Sequence, residues 1–226
     1  MSNPVNRPVK IVVLGTGRIG KMHAEMLARQ VNETELVGVF DVFADSALAV
    51  AADLGVPAFA SLEAALAADA DAVCIATSTD THVEVMKAAA AAGKHIFCEK
   101  PISLDVVMVD DGLAAVEAAG VMLQIGFNRR FDPSHKAVAD AVIAGQVGSP
   151  HLVKITSRDP APPPISYIEV SGGIFNDMTI HDFDMARYVS QSDVVEVYAT
   201  GAVLVDAAIG AAGDIDTAAI TLTHAN

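Results

Sequence analysis

Val9-Lys-Ile-Val-Val-Leu-Gly-Thr-Gly-Arg-Ile-Gly20 opens on six residues of which only Lys10 is polar, and closes on three glycines spaced G-x-G-x-x-G. The apolar run reads as a strand buried on both faces. Arg18 to Gln30 reads as the helix that follows it. Each glycine answers a steric need. Gly15 permits the tight turn, Gly17 lets the backbone approach a pyrophosphate, and Gly20 lets helix and strand pack closely. Free amides at the helix start, where Arg18 and Ile19 lie, face the phosphates at the positive end of the helix dipole. Asp41 stands 21 residues beyond Gly20, at the end of the second expected strand. A carboxylate there accepts hydrogen bonds from both adenosine ribose hydroxyls and repels a 2′-phosphate, so NAD is expected over NADP. Two plainer readings stay open: glycine clusters also mark ordinary turns, and a strand-end aspartate can be a solvated acid.

Working outward, the first half alternates strand and helix. Strands are expected at Glu35 to Phe40, Ala72 to Ala76, His95 to Cys98 and Met122 to Ile125. Helices are expected at Ala44 to Leu54, from the N-cap Ser61 to Ala67, at Thr81 to Ala92 and at Ser103 to Ala119. Strands spaced by helices of this length imply right-handed crossovers and a parallel sheet. The expected fold class is α/β: a doubly wound Rossmann-type sheet over residues 1–126. After Gly126 the pattern changes. Pro133 to Ala144 reads as a helix, His151 to Arg158 as a strand buried on one face, and Asp159-Pro-Ala-Pro-Pro-Pro164 as a stiff loop. Ile174 to Tyr188 has helical periodicity, while Val194 to Leu204 and Ala218 to Thr223 read as strands. An α+β domain with an open, mainly antiparallel sheet is expected over residues 127–226. Its last strand runs into Thr223-His-Ala-Asn226 without a following partner, so this domain is expected to be incomplete.

Composition narrows the classes of function. The chain has 226 residues, 14 basic against 28 acidic, for a formal net charge of −14. That balance argues against nucleic acid and against an anionic membrane surface, both of which call for clustered Lys and Arg. Hydrophobic residues make up 52%, yet alanine supplies much of this, and the run Ala88 to Ala92 is flanked by Lys87 and Lys94. Met1-Ser-Asn-Pro-Val-Asn-Arg7 has neither the basic nor the apolar region of a secretory leader, and a cytoplasmic protein is expected. Cys74 and Cys98, both in apolar stretches, read as buried thiols.

Two segments concentrate reactive side chains. Cys98-Glu-Lys-Pro101 ends a parallel strand at the edge where open sheets bind ligands, and a lysine before proline is held out of the helical region. A lone lysine there also reads as an ordinary loop residue. Within Gly172 to Arg187, Asp177 and His181 are four apart, so one continuous helix would set both on one face, with Asp184 three further along. A carboxylate beside an imidazole is a proton-handling pair. A metal site from His181, Asp182 and Asp184 and a purely structural helix compete with it, while no G-x-S-x-G elbow supports a serine triad.

These residues resemble the Gfo/Idh/MocA oxidoreductase family, and its inositol-oxidising members most. The resemblance rests on the glycine motif with Met22-His23, on Ala76-Thr-Ser-Thr-Asp-Thr-His82 and on Cys98-Glu-Lys-Pro101. It also rests on Gly126-Phe-Asn-Arg-Arg-Phe-Asp132, Ser157-Arg-Asp-Pro160 and the segment Ser171 to Asp184. It implies that Lys100, Asp177 and His181 are catalytic, that Thr77 and Glu99 border the nicotinamide half of NAD, and that Asn128, Arg129, Asp159 and Asn176 border the substrate. The activity it implies is NAD-dependent oxidation of a ring hydroxyl to a ketone, with myo-inositol giving 2-keto-myo-inositol. The partner is a small polyol, and no metal is called for. A dehydrogenase of another sugar and a non-catalytic NAD-binding protein are the alternative readings. Members continue past residue 226 with chain that completes the second sheet and builds the family's homo-oligomer.

Overall fold

In a computed structural model that describes residues 7–226, the run ahead of the glycines is strand β1 (Val9–Leu14), with Val12, Val13 and Leu14 wholly shielded from solvent. Burying each such side chain contributes about 1.5–3 kcal/mol. The leader reading rests on residues of which 1–6 lie outside the described ones. The chain divides into two units, residues up to Gly126 and Phe127–Asn226.

In the first unit, β1 leads through α1 (Arg18–Arg29) to β2 (Thr34–Phe40), then through α2 (Ala44–Leu54) and the short α3 (Leu62–Leu66) to β3 (Ala72–Ile75). Helix α4 (His82–Ala91), β4 (His95–Cys98), α5 (Val106–Ala119) and β5 (Leu123–Ile125) complete it. All pairings are parallel and the order is β2-β1-β3-β4-β5, the doubly wound arrangement expected. Alternation along the strands sends Val12, Leu14, Val73 and Ile75 into one apolar layer with α4 and α5. Val13, Val39 and Cys74 pack into the other with α1 and α2. Because successive strands go to opposite sides of β1, the topological switch lies between β1 and β3, which fixes where a ligand crevice opens.

Boundaries moved where side chains cap the backbone. Helix α5 begins after Asp105, whose carboxylate accepts the Val107 amide at 2.9 Å, while Ser103 accepts the Asp105 amide outside the helix. Ser61 caps α3 as expected, accepting the Ala64 amide at 3.1 Å. Residues 79–81 form a turn of 3₁₀ helix ahead of α4. Both cysteines are free and buried, and burial pushes the Cys98 thiol up to about 12 and the Cys74 thiol higher still. Among the described residues, no helix is long and apolar enough to cross a membrane.

The second unit contains α6 (Pro133–Ile143), α7 (Ile165–Ser171), α8 (Gly173–Asp177), α9 (Ile180–Ser190), β6 (Val194–Ala202), α10 (Ala207–Ala211) and β7 (Thr217–His224). Strands β6 and β7 pair antiparallel, as expected. The Asp216 carboxylate accepts the Leu204, Val205 and Asp206 amides, which hold it down to about 2 and tie the β6–α10 connection to the start of β7. Three readings are corrected. His151 to Arg158 is irregular rather than a strand, because β6 and β7 pair with each other and no ladder reaches it. Helices α7 and α10 occupy segments in which no helix was expected. The helix expected over Ile174 to Tyr188 is broken at Met178-Thr179. There the buried Thr179 turns its hydroxyl onto the Phe175 carbonyl, at 3.2 Å, and its amide reaches back five residues to the Ile174 carbonyl, at 2.8 Å. The unit's core is small: Ala139 of α6 packs with Met185 and Val189 of α9, flanked by Ile155 and Tyr188.

Candidate active site

In the first unit the carboxyl edges of β1 and β3 form a crevice whose floor is glycine. Gly15 adopts φ +92°, and a Cβ on it would sit 2.4 Å from the Ala76 carbonyl oxygen. A Cβ on Gly20 would sit 2.0 Å from the Gly15 carbonyl oxygen, so strand turn and helix meet backbone to backbone. Gly17 is different. It is exposed, has an ordinary φ of −62°, and nothing lies within 4 Å of where its Cβ would be. The open space above Gly17 lies at the N-terminus of the 12-residue α1, whose first amides have no intrahelical acceptor. Arg18 and Ile19 supply two of those amides. Of the three glycines, only Gly17 leaves open space beside these amides, and an anionic group suits that space.

Asp41 lies just past the end of β2. Its carboxylate accepts the Thr16 amide at 2.6 Å and the Thr16 hydroxyl at 3.0 Å, and its other oxygen accepts the Phe43 amide at 2.9 Å. The acid is therefore fixed against the glycine turn, with one lone pair left, on the oxygen that accepts the Phe43 amide. A nicotinamide dinucleotide fits these residues, with room for a pyrophosphate over Gly17 and an acceptor site for a ribose hydroxyl on Asp41.

Thr77 follows β3 and its hydroxyl accepts from Thr81 at 2.8 Å. Glu99 and Lys100 follow β4, and the Lys100–Pro101 peptide bond is cis. Glu99 is held by His23 of α1, whose Nε2 lies 2.7 Å from Oε1. His82 lies against the carbonyls of Thr77 and Pro101. The sequence contained His23 and His82 within its motifs, but only the fold shows what they touch.

In the second unit Asp177 ends α8 and His181 lies in the first turn of α9, so they stand on successive helices instead of one face. Asp177 accepts the Tyr167 hydroxyl at 2.9 Å, and the Nδ1 atom of His181 is buried. Tyr167, on the unforeseen α7, gave no sequence signal. Asp182 and Asp184 serve arginines. Asp182 accepts from Arg129 and, at 2.6 Å, from the Ser157 hydroxyl. Asp184 accepts the Arg130 Nε at 2.8 Å, and the Arg130 guanidinium stacks 5.1 Å from the Tyr188 ring centre. Both acids, read with His181 as a possible metal set, are thereby engaged by cations. Among the described residues no group of three or more His, Cys, Asp or Glu is placed for a metal ion.

Of the expected substrate residues, Arg129 spends one terminal nitrogen on Asp182 and on Ser157, the latter at 3.0 Å. Asn128 opens a turn of 3₁₀ helix beside it. Asn176, exposed on α8, donates to the Gly172 carbonyl at 3.0 Å, and Asp159 is exposed in the proline-rich loop.

The family model described as "Oxidoreductase family, NAD-binding Rossmann fold" matches residues 9–127, and the "GFO/IDH/MocA C-terminal domain" matches residues 135–226. The chain belongs to the Gfo/Idh/MocA oxidoreductase family. Among members of that family, a protein named myo-inositol 2-dehydrogenase from Thermotoga maritima is 50% identical over 216 residues, covering 95% of this chain and 64% of its own length. One named inositol 2-dehydrogenase from Rhizobium meliloti is 49% identical, covering 96% of this chain and 66% of its own. The solved scyllo-inositol dehydrogenase from Lactobacillus casei, with bound NAD(H) and scyllo-inositol, superposes with a TM-score of 0.89 at 30% identity, covering 97% of this chain and 67% of that one. The chain thus spans just under two thirds of the length of the curated Gfo/Idh/MocA relatives it matches first.

Proposed function

We propose that residues 1–126 form the NAD-binding part, and residues 127–226 a substrate-side part, of a dehydrogenase that oxidises a ring hydroxyl of a cyclic polyol, myo-inositol foremost, to a ketone. What carries the reading is the glycine and aspartate cradle in a chain 50% identical to a protein named myo-inositol 2-dehydrogenase. When bound, the nicotinamide supplies the hydride acceptor. Three residues do the rest of the work. The His181 imidazole takes the hydroxyl proton as the hydride leaves the same carbon, and Asp177 orients that imidazole or the substrate. Lys100 donates a hydrogen bond to the reacting oxygen and offsets the negative charge that develops on it. Thr77 and Glu99 border the nicotinamide. Asn128, Arg129, Asp159 and Asn176 offer hydrogen bonds to a substrate carrying hydroxyls all round, where a lost contact discriminates strongly between epimers.

The net charge of −14 suits a neutral small-molecule partner better than nucleic acid or an anionic bilayer. Two buried free thiols accord with a cytoplasmic protein.

The test is NADH absorbance with NAD and myo-inositol, scyllo-inositol or glucose, for the protein and its Lys100→Ala and His181→Ala variants. Turnover of an inositol is expected, falling about 10²–10⁴-fold in each variant. NAD affinity is expected to change by no more than about threefold. Tight NAD binding with no turnover on any polyol would refute the dehydrogenase reading in favour of a binding role.

A further inference from the structure

The loops after β3 and β4 are joined by a histidine that the proposed reaction does not use. His82 begins α4 and is 2% exposed. A backbone carbonyl faces each of its ring nitrogens: Pro101 O lies 2.8 Å from Nδ1 and Thr77 O lies 3.1 Å from Nε2. A neutral imidazole carries one N–H and serves one carbonyl, whereas a ring protonated on both nitrogens serves both. With a proton on Nδ1, the nitrogen with the shorter contact, the Pro101 carbonyl accepts its hydrogen bond from the ring. One ring therefore spans the loop that carries Thr77 and the turn that carries Lys100, in an interior where groups are close-packed and transmit displacement.

The other side of Lys100 is also anchored. The Glu99 carboxylate meets His23 at 2.7 Å, and His23 packs edge-on against Phe97 with ring centres 5.2 Å apart. The Glu99 amide donates to the Ile75 carbonyl at 2.9 Å. Gly126 leaves the space the carboxylate fills, since a Cβ there would stand 3.1 Å from it. Residue 99 is thus held by its amide and side chain, residue 101 by its carbonyl, and Lys100 hangs between two fixed points.

We propose that His82 is a positioning residue for Lys100: through the Pro101 carbonyl it sets the direction in which the Glu99-Lys100-Pro101 turn presents the ammonium group, and it couples that turn to the Thr77 loop. The catalytic part of this inference rests on Lys100 acting in the reaction proposed above. The structural part does not. Displacing a reacting group by about 1 Å can cost about 10²-fold in rate, so the link matters without His82 touching substrate.

Two near-isosteres separate the contacts. An Asn amide places its N–H close to the Nδ1 position, and a Gln amide places its own close to Nε2. His82→Asn and His82→Gln are compared with wild type for kcat and KM with an inositol, for NAD affinity, for thermal midpoint, and for amide hydrogen exchange over residues 99–105 in the cofactor-free protein. His82→Gln is expected to lower kcat about 10–100-fold, with NAD affinity within about threefold, and to speed exchange at 99–105. His82→Asn is expected to restore both. Equal losses in the two variants, or a lowered thermal midpoint with exchange at 99–105 unchanged, would overturn the proposal and leave His82 a packing residue. Should wild type itself turn over no polyol, the dehydrogenase reading fails, and the exchange comparison still decides whether His82 holds the turn.

Discussion

Replacing Gly17 and Gly20 separately by alanine should divide ligand binding from folding. At Gly17 the backbone has φ −62°, open to any residue, and the new methyl meets nothing within 4 Å. Two small terms oppose each other there. Reduced freedom of the unfolded chain stabilises by about 0.4–1 kcal/mol, while alanine is a poorer N-cap than glycine by about 0.5–1 kcal/mol. The net change in stability should be within about 1 kcal/mol of zero. Binding should suffer more, because the methyl fills the space through which a pyrophosphate reaches the first amides of α1. Losing one charge-assisted hydrogen bond costs about 1.5–3 kcal/mol, which is about a 10- to 150-fold rise in Kd for NAD. Gly20→Ala puts a Cβ 2.0 Å from the Gly15 carbonyl oxygen and 2.8 Å from its carbon. Both neighbours are backbone, so strand turn and helix must separate, at about 1–3 kcal/mol or more. Urea unfolding and calorimetric NAD titration of both variants measure the contrast. If Gly17→Ala keeps wild-type NAD affinity while folded, no pyrophosphate lies over Gly17 and the cradle has been assigned wrongly.

Two further expectations concern single carboxylates. Asp41→Ala removes the ribose acceptor and three contacts that brace the glycine turn, so NAD should bind about tenfold or more weakly, and the preference for NAD over NADP should narrow or invert; competitive titration of the two cofactors measures this. Asp71 is held down to about 2 from 3.8, first by the Arg7 guanidinium and next by the Lys10 amide. A depressed carboxylate lends stability that is fully present above about pH 4 and is lost as pH falls through about 2. The gap in thermal midpoint between wild type and Asp71→Asn should therefore be constant above about pH 4 and shrink below it, and a gap that stayed constant down to pH 2 would contradict the assignment.

The first unit was legible because its signals are local. Period-two burial, continuous apolar strands and glycine spacing each depend on residues within a few positions of one another, and the parallel pairing they imply is the pairing the sheet has, whereas its order β2-β1-β3-β4-β5 is set by tertiary packing. The second unit was read less well for the same reason. At the break, Met178-Thr179, the Thr179 amide reaches back five residues to the Ile174 carbonyl instead of four, a change of backbone pairing that helical periodicity cannot register. His151 to Arg158 alternates like a strand, yet alternation only records a half-buried surface. Ile155 finds its burial against Met185 and Val189 without a ladder.

The sequence by itself placed three glycines at a strand–turn–helix junction and an aspartate at the end of the next strand, and the parallel pairing of β1 with β2 brings the two together. It also placed Lys100, Asp177 and His181 in their segments. Only the tertiary structure decided what each polar group touches. His23 meets Glu99 from 76 positions away, His82 meets Pro101 from 19, and Arg129 meets Asp182 from 53. Such pairs form because a buried donor or acceptor must be satisfied by whatever the fold brings within reach, and that partner is set by packing in three dimensions rather than by neighbours along the chain.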